Sequence, residues 1–73
     1  MTVKEERTRI RRETIVKALR REYPDGLRAG QIRALIGYQT PGGGLYSVYL
    51  WPLIEAGLIR KEGYGKYFYV DEV

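Results

Sequence analysis

"LWPLIEAGLIRKEGYGKYFYV", residues 50 to 70, changes its periodicity halfway along. The first half spaces Leu50, Leu53 and Ile54 as one face of a helix, and Gly57 is a natural stop. The second half, from 58 to 70, reads as two β-prone strands around Gly63-Tyr64-Gly65, a hairpin with a short glycine-containing loop. Alternation in its last strand puts Phe68 and Val70 on one face and Tyr67 and Tyr69 on the other. Pro52 interrupts the helical half. It deletes the bond its N–H would have made to the Val48 carbonyl and crowds the preceding turn, so a kink is expected there.

Upstream lies "QTPGGGLYSVY", residues 39 to 49. Thr40-Pro41 has the form of an N-cap followed by an N1 proline, but three consecutive glycines would each cost about 1 kcal/mol inside a helix. The glycines therefore belong to a loop, and the third helix is expected to start near Leu45. On a helical wheel Tyr46, Tyr49, Leu50, Leu53 and Ile54 cluster on one side, with Gly44, Ser47, Val48, Trp51 and Glu55 on the other. Tyr46 and Leu50 are expected in the core.

Nearer the start, "TVKE" at 2 to 5 has capping-box spacing, so a first helix begins at Val3. Glu5–Arg9, Arg9–Glu13 and Glu13–Lys17 are spaced to support one another along a solvated face. Ile15, Val16, Leu19 and Tyr23 form the core-facing stripe. Ile10 falls on the opposite side, so either the helix bends or its first turns project past the core. "YPDG" at 23 to 26 ends the helix. Leu27 reads as a short strand or an extended plug, expected to pair with the later hairpin. A second helix follows with Ile32, Leu35 and Ile36 on one face, closing at Gly37.

The order helix, short strand, helix, helix, hairpin defines an α+β class. At 73 residues the chain makes one domain, 1–73, whose residues 1–12 extend the first helix; so small a core favours sharing with a partner. Thirteen Lys+Arg against 9 Asp+Glu, and a pI near 9.6, favour a polyanionic partner. Cysteine and histidine are absent, which removes disulfides, the commonest metal ligands and the usual general base. The charged "MTVKEERTRIRRE" is no secretory signal, and no apolar run is long enough to cross a bilayer. A cytoplasmic protein is expected. Missing asparagine, cysteine and histidine, with abundant arginine and tyrosine, lean toward a heat-adapted source.

In its order of elements and in "LWPLIEAGLIRKEGYGKYFYV", the chain resembles a winged helix-turn-helix domain over roughly residues 13 to 70. The family's pattern has a leucine, two variable residues and a second leucine, then an acidic-Ala-Gly-Leu-Ile run leading into a basic hairpin. "GLRAGQIRALIG" resembles its strand and second helix. The small size and basic charge are similar to minimal regulators of archaea and their viruses and plasmids; in a viral case the host cytoplasm would be the setting. The resemblance implies three helices plus a short strand and a C-terminal hairpin wing. Three departures stand out. The connection from Gly37 to Gly44 is longer than a tight turn. Arg28 occupies a position where the family often has a Ser or Thr cap. The third helix carries no Lys or Arg, so it lacks the usual bidentate guanine contact.

The resemblance further implies a homodimeric transcriptional regulator that binds double-stranded DNA. Its third helix would present Gly43, Gly44, Ser47 and Val48 to the major groove, with Gln39 and Thr40 just ahead of them. Ser47 can hydrogen-bond a base edge or phosphate, Val48 can meet a thymine methyl, and the glycines let backbone approach phosphate. Arg28 and Arg33 are candidates for phosphate because the second helix of such domains crosses the backbone. In the wing, Arg60, Lys61 and Lys66 flank Tyr64 at the tip and can reach flanking backbone or minor groove.

Blander readings stand beside these. "PGGG" can be a plain connector, and the hairpin lysines can be an edge's defence against aggregation. The arginines of the first helix, interleaved with glutamates, read as a solvated face laced with ion pairs. Outward Val48 and Trp51 would then dock another protein. Catalysis has little support, since Ser47 lacks a histidine partner and "GYGK" at 63 to 66 lacks P-loop spacing. No enzyme activity, cofactor, metal, membrane or small-molecule ligand is expected.

Overall fold

A computed structural model describes residues 2–38, 44–63 and 65–71. Helix α1 runs over Val3–Arg21, strand β1 over Leu27–Arg28 and helix α2 over Ala29–Ile36. A π-helical segment over Leu45–Leu50 leads directly into α3, Trp51–Glu55, and strands β2, Ile59–Glu62, and β3, Lys66–Tyr69, close the fold. These elements make an α+β structure with a three-stranded antiparallel sheet in the order β1-β3-β2.

The capping box forms as its spacing requires: Thr2 Oγ1 accepts from the Glu5 amide at 3.2 Å, and Glu5 Oε2 accepts from the Thr2 amide at 3.4 Å. That bond turns Glu5 away from Arg9, whose guanidinium instead pairs with Glu6 and, at 3.4 Å, with Glu13. Helix α1 is continuous past Ile10, which stays exposed, so the first turns project beyond the core. Ile15 and Leu19 are fully buried, Val16 packs partly against them, and Tyr23 does not join the stripe. The helix has already ended at Arg21, so helical spacing no longer governs Tyr23; its half-exposed ring meets Tyr69 edge-on at 6.3 Å.

Leu27 pairs with Tyr67 and Arg28 with Lys66 across β1 and β3, as the short-strand reading expects. Gly26, which leads into β1, has φ 74° and lies so close to β3 that a Cβ would overlap the Tyr67 carbonyl oxygen. In α2, Ile32 is buried and Ile36 packs against the core, but Leu35 is exposed. The core meets α2 along Ile32 and Ile36, one turn apart, and Leu35 at the edge of that face turns to solvent.

The third helix departs most from expectation. An N–H bonded five residues back, as Trp51 N–H is to the Tyr46 carbonyl, widens the turn, so positions i, i+4 and i+5 share a face. Leu45, Tyr49 and Leu50 are accordingly buried, and Leu53 continues their line in α3. Tyr46, expected in the core, is displaced to the surface at 37% exposure. Hydrogen bonding changes to the α pattern at Pro52, the residue that cannot donate. Gly57, with φ 76°, ends α3, and the Leu58 amide donates back to the Leu53 carbonyl.

The core joins Ile15 and Leu19 of α1, Ile32 of α2, Leu45, Tyr49, Leu50 and Leu53 of the third helix, and Ile59 and Tyr67 of the sheet. Tyr69 packs on the same side, leaving Phe68 on the outer face as the alternation predicts.

Candidate nucleic-acid interface

The sheet sorts the hairpin's cations by parity. In β2 and β3, residues paired across the strands project to the same face, so Arg60 goes with Phe68, and Glu62 with Lys66. This outer face is extended by Arg28 of β1, the partner of Lys66 on its other side. The start of α2 is fastened to the hairpin here, because the Ala29 amide donates to the Gly65 carbonyl at 2.8 Å. That bond satisfies one of the amides a helix leaves open at its beginning and holds Arg28 beside the hairpin. No side-chain oxygen is available at Arg28 to cap α2, but Gln31 Oε1 accepts from the Arg28 amide at 2.9 Å.

Arg60 and Lys66 both lie over the Phe68 ring, at 5.2 and 5.5 Å, and Arg60 also pairs with Glu62 at 2.8 Å. Arg60 is thus partly neutralised, whereas Arg28 and Lys66 have no ion pair among the described residues. Lys61 points the other way. Its ammonium is held 5.1 Å over the Tyr46 ring, beside the third helix, and so does not act with Arg60 and Lys66 on one surface.

On the third helix, Ser47, Val48 and Trp51 are all exposed, as the wheel indicates. The Tyr46 and Trp51 rings adjoin at a tilt of 37°, 6.1 Å between ring centres, which makes an aromatic step next to Lys61. Gly44 is half-buried, and a Cβ there would overlap the Tyr38 hydroxyl, so this glycine serves close packing of the helix start on Tyr38. Arg33 is half-buried in α2 with its Nε enclosed and without a hydrogen-bond partner among the described residues. Its cleft is lined by Gly30, Gly37 and Tyr38. Gln39, Thr40, Gly43 and Tyr64 lie outside the described residues.

Two arginines that the sequence places on a solvated face prove to be structural. Arg12 donates from Nε and Nη2 to the Val48 carbonyl, at 3.1 and 2.7 Å, and Arg11 Nη1 donates to the Tyr49 hydroxyl at 2.8 Å. The signal for Arg12 is Pro52. A carbonyl that loses its α-helical donor requires another, and a long cation on the neighbouring helix supplies it.

Among the described residues no group of three acidic, histidine or cysteine side chains is placed to hold a metal ion, and no helix is long and apolar enough to cross a membrane. No family model, curated protein or solved structure matches the chain.

Proposed function

We propose that this chain is a double-stranded DNA-binding protein of the winged helix-turn-helix type, a transcriptional regulator that acts as a homodimer. The third helix enters the major groove with Ser47 and Val48, α2 anchors on phosphate through Arg28 and Arg33, and the β2–β3 hairpin is the wing. The observation that carries this reading is Lys61 held over Tyr46: a hairpin cation lies beside the exposed face of a helix that has none of its own. Affinity would then come from the flanks, and base preference from short side chains.

The exposed Tyr46–Trp51 pair favours a second reading, in which the same face docks on a protein. A mobility-shift titration over a salt series separates the two. Phosphate contacts release counterions, so DNA affinity must fall steeply with salt. Failure to bind any duplex at low salt would sink the DNA reading. Within it, Lys61→Glu and Lys66→Glu weaken binding to all sequences, whereas Ser47→Ala mainly alters sequence preference.

A further inference from the structure

The first helix approaches the third along a groove outside the wing. From α1 come Lys4, Arg7 and Arg11, and from the opposite wall Tyr38, Val48 and Tyr49. Residues 4, 7 and 11 fall on one helical face, and no carboxylate lines the groove among the described residues. The three cations are not equivalent. Arg11 is half-buried and committed to Tyr49, over whose ring it lies at 5.9 Å. Lys4 and Arg7 are exposed and have no ion pair among the described residues, while the glutamates of this helix are drawn elsewhere, Glu6 and Glu13 by Arg9 and Glu5 by the Thr2 amide.

We infer that Lys4 and Arg7 bind the phosphodiester backbone of the duplex next to the major groove that Val48 faces. The inference rests on the DNA-binding reading and deepens it. The third helix would then take cations from two flanks, Lys61 beside Tyr46 and the α1 pair beside Val48. Three residues separate Lys4 from Arg7, a rise of about 4.5 Å, which lets two long side chains reach neighbouring phosphates of one strand. Tyr38, whose hydroxyl is packed against Gly44, and the Arg11–Tyr49 pair fix the floor beneath them. Projection of α1 beyond the core thereby gains a purpose that burial does not supply.

The test compares the full chain with the Lys4→Gln/Arg7→Gln double variant on a random-sequence duplex pool, by mobility shift from low to moderate salt. The control, Lys17→Gln/Arg20→Gln, removes the same charge from exposed positions of α1 outside the groove. Two lost phosphate contacts should flatten the dependence of log affinity on log salt by roughly 1.8, at about 0.9 per contact, while the control keeps the wild-type slope. Thermal melting followed by circular dichroism checks that the variants fold, and Lys4→Arg/Arg7→Lys, which keeps both charges, should retain the slope. An unchanged slope in the double variant, or an equal change in the control, overturns the inference and leaves the DNA reading intact. Absence of duplex binding by the wild type fells the DNA reading itself.

Discussion

Gly44 and Tyr38 illustrate how little of a residue's role its type reveals. A glycine ahead of the helix proposed to read DNA invites a backbone–phosphate contact, yet here the missing side chain makes room for a phenol. Gly44→Ala should cost about 1–3 kcal/mol in urea unfolding, the range for overpacking a close contact. In a Tyr38→Phe background that cost should be smaller but not zero, since the overlap with the hydroxyl is gone while the ring carbon 3.2 Å from the new Cβ is still a tight contact. Equal costs in both backgrounds would show that the hydroxyl is not the obstacle. Tyr67 carries a second prediction. Burial raises its phenol pKa, with a smaller contribution from Tyr46. An acid whose folded-state pKa is raised contributes stability below the unfolded-state value, near 10, and loses it as pH climbs above that. Wild-type stability should therefore fall more steeply than that of Tyr67→Phe above about pH 10. Parallel pH profiles would contradict this.

At the scale of elements, Pro52 links three observations. The α pattern begins beside it, wide π-type turns precede it, and the Val48 carbonyl is taken by Arg12. Removal of the guanidinium by Arg12→Ala should cost about 0.5–1.5 kcal/mol, the net worth of a hydrogen bond at an exposed acceptor that water can partly replace. Pro52→Ala restores an N–H that can return to Val48, so Arg12→Ala should cost clearly less in that background. Chemical denaturation of the four proteins in this cycle measures the coupling, and simple additivity would dissociate the proline from the arginine. Periodicity locates the third helix, and Gly57 its end. It assigns Tyr46 to the wrong face because a wheel assumes one turn width throughout, whereas the turns over Leu45–Leu50 are wider. Leu35 and Tyr23 are misassigned because the core meets α2 along Ile32 and Ile36 only, and because α1 ends before its stripe does.

Across the whole molecule, charge is distributed by face. Arg28, Arg60 and Lys66 share the outer side of the sheet, Lys61 turns toward the third helix, and Lys4 and Arg7 border Val48. A 73-residue chain whose completely buried side chains are chiefly Ile15, Leu19, Ile32, Leu50 and Ile59 has a small core. Exposed Ile10, Trp51 and Leu58 offer apolar area to a second copy. For the proposed homodimer the melting temperature should rise with protein concentration, by mass action, and sedimentation equilibrium should give twice the chain mass. A concentration-independent melt with monomer mass would refute the dimer.

The order of elements, the capping box of the first helix, the helix stops and the outward set Ser47, Val48 and Trp51 were all determined by the sequence itself. Each depends on local periodicity, turn chemistry or alternation, which act between residues close in the chain. Tertiary structure alone decided that Arg11 and Arg12 brace the third helix, that Lys61 and Lys66 serve opposite faces, and that Lys4 and Arg7 flank Val48. Those outcomes depend on contacts between residues some 36 to 45 positions apart or on strand parity, and no local pattern encodes where a long cationic side chain finds its partner.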